Sequence, residues 1–254
     1  MSESRQVAAF RNAGFFAIQL DFARRMAAGR GLALGEAVAA YTCLRRRLSL
    51  SEDDPSTKLP WTAYLERLQK LDSPADQEAW TQEVFLDSPP EGLAVGQTPF
   101  GCFSCEPPTA QGVLRLHFTN REMDGAVGPL HRERLLARRG ELAALFTFVR
   151  ETWPNASRVY GSSWLYHLEA YRGLFPPAYG AARRTPFGPV RLAGMSSWGQ
   201  LLDRRGWLKP DVAQLFSENL RQLDLEAPWR AFPRSCLVTE APIVLFYEFY
   251  GIAP

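Results

Sequence analysis

The sequence predicts an α/β (α+β) chain with a helical N-terminal subdomain, residues 1–98, and a mixed, partly parallel sheet flanked by helices over 99–254. Three observations predict it. Apolar residues in roughly the first third recur only at helical spacing. A cluster of breakers between Asp87 and Pro99 then marks a change of pattern. Beyond it, short strand-like alternations take turns with helical stretches, one of them long enough to join two parallel strands. With 254 residues and 46% hydrophobic content the chain can bury a full core without disulfide staples.

In chain order, Phe15, Phe16, Leu20 and Phe22 to Met26 place apolar groups on one helical side, and Leu34, Ala37, Val38, Tyr41 and Leu44 repeat at the same period. Two amphipathic helices joined through Gly29-Arg30-Gly31 follow, as an antiparallel pair. A third helix begins near Trp61 and ends before Asp72-Ser73-Pro74, and a fourth runs from about Ala75 to Leu86. After the linker, Phe100–Glu106 and Val113–Thr119 flank a turn rich in Pro, Thr and Gly, which is a hairpin pattern. Leu135, Leu142, Leu145, Phe146 and Val149 make a core-facing stripe on a helix over Leu130–Glu151, stopped at Trp153-Pro154. Ser157–Gly161 is expected as a strand parallel to Val113–Thr119, the helix between them forming a right-handed crossover. Trp164–Phe175 is expected as a helix, Val190–Gly194 as a strand, and Ser197–Arg205 and Pro210–Leu223 as helices. Cys236–Phe249 is expected as one or two strands broken by Pro242.

Composition excludes several function classes. A net charge of +2 is too mild for a phosphate-backbone partner, so no nucleic acid is expected. The chain is arginine-rich, Lys58, Lys70 and Lys209 being the lysines among 29 basic residues, but genomic base composition accounts for that bias more simply than anion recognition does. No window reaches the roughly 18 apolar residues of a membrane span, and the N-terminus lacks a signal peptide's apolar core. A cytoplasmic location of bacterial type with reduced thiols is the expectation. Cys102 and Cys105 form a CxxC, but on a strand that spacing sends the side chains to opposite faces. Cys43, Cys236 and three histidines supply no second ligand pair, so no metal is expected. The sequence also lacks a phosphate-binding Gly-Lys-Ser/Thr loop, a dinucleotide fingerprint and a zinc-protease helix motif. Gly194-Met195-Ser196-Ser197-Trp198-Gly199 misses the nucleophile-elbow spacing by one residue.

One internal similarity concentrates polar groups. Arg158 to Trp164 and Arg191 to Trp198 both read as an Arg-led strand, a Gly, and Ser-Ser-Trp opening a helix. Ser162, Ser163, Ser196 and Ser197 therefore stand at two expected helix starts, where they serve either as caps or as hydroxyls of an anion or oxyanion pocket. His117 shares a strand face with Arg115 and Thr119, Asn120 follows at the strand end, and the crossover carries both toward Ser163. An imidazole beside a hydroxyl can act as general base, and a half-exposed strand histidine is the plainer alternative. Trp164, His167 and Tyr171 share a helical side that is either core or the wall of an aromatic pocket, which Tyr166 and Trp198 would help to line.

The run Val113-Leu114-Arg115-Leu116-His117-Phe118, the Gly128-Pro129-Leu130 turn, the helix ending at Trp153-Pro154, and Ser163-Trp164-Leu165 with Leu174-Phe175-Pro176 resemble the GNAT-like acyltransferase domain of uncharacterised bacterial proteins. The likeness covers residues 113–176 in detail. It implies an acyl-transfer fold in which a thioester cofactor, acyl-CoA or a carrier-bound acyl group, lays its pantetheine between two strands. The loop 120–129 carries no Arg/Gln-x-x-Gly-x-Gly/Ala pattern, which in that family holds the cofactor pyrophosphate. The leading expectation is an acyl-transfer enzyme acting on a small molecule. His117 would be the base, Asn120 and Ser163 polarising groups, and Ser162, Trp164, Tyr166, His167, Ser196, Ser197 and Trp198 binding residues. The alternative is a non-catalytic binding or scaffold protein whose C-terminal aromatic run, Phe246–Tyr250, is a core strand or pairing edge. A natural-product tailoring protein is a third reading. A homodimer or an acyl-carrier partner is compatible with either of the first two.

Overall fold

The computed structural model describes residues 3–50, 59–88, 98–122 and 127–253, with side chains from Val7 onward. In chain order the elements are α1 (Glu3–Arg30), α2 (Leu34–Tyr41), α3 (Leu44–Arg47), α4 (Trp61–Gln69), α5 (Pro74–Asp87), β1 (Thr98–Phe100), β2 (Phe103–Cys105) and β3 (Val113–Phe118). There follow α6 (Leu135–Thr152), β4 (Arg158–Ser163), α7 (Glu169–Arg172), α8 (Pro177–Ala181), α9 (Met195–Trp198), α10 (Pro210–Leu220), β5 (Leu237–Pro242) and α11 (Val244–Phe249). Among the described residues no helix is long and apolar enough to cross a membrane. Of the expected linker, residues 89–97 lie outside the described residues.

The chain forms two compact units, one from residues 1–92 and 189–235, the other from 93–188 and 236–254. This division differs from the expected one at 98/99. Residues 189–235 group with the helical unit because Leu192, Trp198, Leu201, Phe216, Leu220 and Phe232 are buried in the same core as Phe15, Phe22 and Met26 of α1.

In the helical unit, α1 ends on Arg30 and turns at Gly31, whose φ of +65° is the left-handed conformation glycine adopts most easily. Ser73 starts α5 by accepting the Asp76 N–H at 3.1 Å, with Pro74 at the first helical position. The core centres on Trp198, which is fully buried and packs edge-on against Phe22 and Phe232. Its indole N–H donates to the carbonyls of Leu192 at 3.0 Å and Tyr41 at 3.2 Å, so the buried polar edge is satisfied. The expected strand Val190–Gly194 has no ladder among the described residues and serves instead as the extended lead into α9. The expected helix Ser197–Arg205 reduces to α9 and a 3-10 turn, Gly199–Leu201.

The sheet unit holds a mixed five-stranded sheet of order β1-β2-β3-β4-β5, flanked by helices. β1–β2–β3 are antiparallel, β3 and β4 are parallel with α6 as the crossover between them, and β5 returns antiparallel to β4. One sheet face, with Phe103, Cys105, Leu114, Leu116, Val159 and Ala241, shares a core with Leu142, Leu145, Phe146 and Val149 of α6. The expected single strand Phe100–Glu106 folds back on itself: Phe100 pairs with Phe103 across a two-residue loop in which Gly101 takes φ +58°.

Two further expectations are corrected. Trp164–Phe175 is a 3-10 turn, Trp164–His167, and then α7, separated by Leu168 in an extended conformation. Arg172 clamps that turn by donating to the carbonyls of Tyr166 and His167. The C-terminal run is one strand and one helix. Pro242 ends β5, and the buried Ile243 and Phe246, with the half-buried Tyr250, recur at i, i+3 and i+7, a helical period that continued strand pairing would have broken. Phe246–Tyr250 is therefore neither a core strand nor a pairing edge.

Candidate functional site

The parallel ladder between β3 and β4 is short. It runs Val113↔Arg158, Leu114↔Val159 and Arg115↔Tyr160 and stops there. Both strands continue, β3 through Leu116, His117 and Phe118 and β4 through Gly161, Ser162 and Ser163. Over this stretch each strand is paired on its outer side, β3 with β2 and β4 with β5. Among the described residues the inner edges of β3 and β4 have no ladder partners beyond Arg115↔Tyr160, although both strands run three residues further.

Strand alternation sorts the side chains along this stretch. Arg115, His117, Tyr160 and Ser162 lie on one face with Ser104 of β2 and Glu240 of β5. Ser163 lies on the other, with Leu114, Leu116 and Leu237. His117 and Ser163, expected to act together, are thus separated by the sheet itself. A spacing of one residue decides it: Ser162 shares the face of His117, and Ser163 does not.

On the polar face His117 is half-buried, and its Nε2 lies 2.8 Å from Oε1 of Glu106, just past the end of β2. Arg158 pairs with Glu240. Arg115 is exposed and sits over the Tyr160 ring at 5.9 Å. Ser162 Oγ contacts the buried Cys236 Sγ at 3.2 Å, and burial raises that thiol above the ordinary cysteine range.

The remaining expected residues have local duties. Asn120 Oδ1 accepts the Glu122 N–H at 3.0 Å, shaping the loop after β3. Ser163 Oγ accepts the Leu165 N–H at 3.1 Å, capping the 3-10 turn. Trp164 is half-buried and His167 exposed. Tyr166 is buried, and its hydroxyl meets that of Tyr179 at 2.7 Å. A Cβ at Gly161 would strike both hydroxyls, so β4 needs glycine where the two rings cross under it. Burial drives both phenols well above their ordinary range. Ser196, Ser197 and Trp198 belong to the helical unit, where Gly194 rather than a serine stands at the start of α9. Ser197 is buried, and Trp198 is core. The two Ser-Ser-Trp segments therefore do not share a structural role: one ends a strand, the other follows an unpaired extended segment.

Sequence reasoning passed over two features. Glu106 could have been found from the hairpin register, which sets it diagonal to His117. The other is an ion cluster on the inner side of α6. Arg138, 2% exposed, contacts Glu122 at 2.6 Å, Glu141 at 2.9 Å and the Cys102 sulfur. Glu141 also accepts the Cys102 N–H at 3.0 Å, clasping the β1–β2 loop. The ligand atoms of Cys102, Glu122 and Glu141 lie within 4.8 Å of one another, a spacing a cation could use. The Arg138 guanidinium already supplies that positive charge from within. Burial raises the Cys102 thiol, and Cys105 is pushed up to about 12 by the same cause, so neither is prepared as a nucleophile.

Comparison of the chain with family models, curated proteins and solved structures finds no match.

Proposed function

We propose that the sheet unit is a small-molecule acyltransferase-like enzyme of bacterial type. Its thioester donor, acyl-CoA or a carrier-bound acyl group, lies between β3 and β4 beyond their short ladder, and His117 is the base. The observation that carries this reading is the three-pair parallel ladder that ends before the carboxyl ends of both strands, with His117 on the unladdered stretch. Backbone N–H and C=O groups along such edges seek partners. A pantetheine arm has two amides and can satisfy them as an added strand would. In the reaction, the His117 imidazole, with the Glu106 carboxylate beside it, takes a proton from the acceptor. The acceptor's lone pair then forms a bond to the thioester carbonyl carbon, the C–S bond breaks as the carbonyl re-forms, and the departing thiolate takes the proton held by the imidazolium, which restores the base.

Ser162, on the base's own face, takes the polarising role that Ser163 was expected to fill. Asn120 shapes the adjoining loop. The second reading, a non-catalytic binding or scaffold protein, draws on the structural duties of Ser163, Ser197 and Trp198.

The test is thiol release from acetyl-CoA and longer acyl-CoAs in the presence of a panel of amines and alcohols. His117→Gln should lower turnover at least a hundredfold with unchanged melting temperature, the lower range for loss of a general base. Ser163→Ala should retain turnover within about threefold while losing roughly 1 kcal/mol of stability with its cap. Equal turnover by wild type and His117→Gln, or absence of turnover with every donor and acceptor, overturns the proposal.

A further inference from the structure

We propose that Arg115 makes the acceptor side of this face selective for a small amine carrying a carboxylate next to its nucleophilic nitrogen, an inference that rests on the acyl-transfer reading above.

The charges around His117 are unequally neutralised. Glu106 is engaged by His117 and Arg158 by Glu240. Arg115 rests over the Tyr160 ring and, among the described residues, closes no salt bridge, Glu106 across from it in the β2–β3 register being turned to His117. A guanidinium resting on an aromatic ring keeps its N–H fork for a planar anion, and a carboxylate is the anion that fork matches in two parallel hydrogen bonds. Arg115 and His117 are alternate residues of one strand and point to the same face. Their Cα atoms are therefore about 6.7 Å apart. A ligand whose carboxylate and amine are separated by one carbon would set its acid on Arg115 while its nitrogen faces the imidazole on the same strand face. The half-buried Tyr160 gives such a ligand's side chain an apolar neighbour. A simple amine lacking the carboxylate would leave the guanidinium without its partner and would bind without fixed orientation.

The experiment compares L-phenylalanine with phenethylamine, which differ by the carboxylate alone. Thiol release from acetyl-CoA and ligand-observed NMR binding are measured for wild type, Arg115→Gln, Arg115→Lys and His117→Gln, each checked by thermal melting. The expected result is at least a tenfold preference for L-phenylalanine in wild type, abolished in Arg115→Gln and partly kept in Arg115→Lys. His117→Gln should lower release from both amines alike while binding of L-phenylalanine persists. Equal use of the two amines, or a preference that survives Arg115→Gln, overturns the inference and leaves the base assignment standing. Absence of thiol release overturns the acyl-transfer reading instead. In that case Arg115-dependent binding of L-phenylalanine still upholds the carboxylate ligand, and lack of such binding overturns it too.

Discussion

Replacing Arg138 by Met tests the ion cluster that fastens α6 to the β1–β2 loop. The guanidinium is 2% exposed, while the side chains of Glu122 and Glu141 keep 28% and 19% of their surface in water. Removing one partner of a buried pair costs about 3–5 kcal/mol, because the other charge stays behind uncompensated. Partial hydration of both carboxylates favours the lower end, about 3 kcal/mol. At roughly 2–4 °C per kcal/mol for a chain of this size, the melting temperature should fall by 6–12 °C. The loss should also depend on pH. Burial already raises the Glu141 carboxyl, opposed by the Cys102 N–H and by Arg138. In the variant one opposing influence is gone, and the folded-state value rises further. A carboxyl whose folded value exceeds its unfolded one holds its proton more tightly in the native state, so stability falls as pH rises between the two values and is regained below them. The deficit relative to wild type is therefore largest near neutrality and shrinks on acidification toward the ordinary carboxyl range, about pH 4–5. Thermal melts from pH 4.5 to 8 measure it, and adding Glu141→Gln should recover part of the loss. A melting temperature within 1 °C of wild type, or a deficit that grows with acid, refutes the reasoning.

Two further predictions follow from burial. Trp198→Ala should destabilise the helical unit by about 3–5 kcal/mol, while Trp198→Phe should cost less because the edge-on contacts with Phe22 and Phe232 can be remade without the indole N–H bonds; chemical denaturation distinguishes them, and equal losses would contradict the packing account. All four cysteines are buried and outside any disulfide, so a thiol reagent at pH 8 should label the native protein slowly and all four sites at once after unfolding; rapid native labelling of Cys102 or Cys105 would contradict it.

The sequence made some elements plain and concealed others for physical reasons. The β3–α6–β4 unit was legible because Leu114, Leu116 and Phe118 alternate while Leu142, Leu145, Phe146 and Val149 keep helical spacing, and a stretch of that length suits a parallel crossover. The end of the chain misled because its aromatic density suited a strand, while the spacing of Ile243, Phe246 and Tyr250 carried the helix. The likeness of the two Ser-Ser-Trp segments concealed their different settings, since ladder partners and tertiary packing, not local pattern, decide whether an extended segment joins a sheet. At the site, His117 was visible, but Glu106 reaches it across a hairpin whose register no short motif announces. The choice between Ser162 and Ser163 depends on strand phase, which a one-residue shift inverts. Arg138 carried no signal, as its partners come from the β1–β2 loop, the loop after β3 and its own helix.

Thermal melting with fragments of the donor tests most directly the proposal that β3 and β4 receive a pantetheine arm beyond their short ladder. Ligand binding to the native state raises the melting temperature by mass action. Acyl-CoA and acyl-4′-phosphopantetheine should both raise it, while adenosine 3′,5′-bisphosphate, which lacks the arm, should not. A shift with the nucleotide fragment alone, or with none of the pantetheine compounds, would contradict the account.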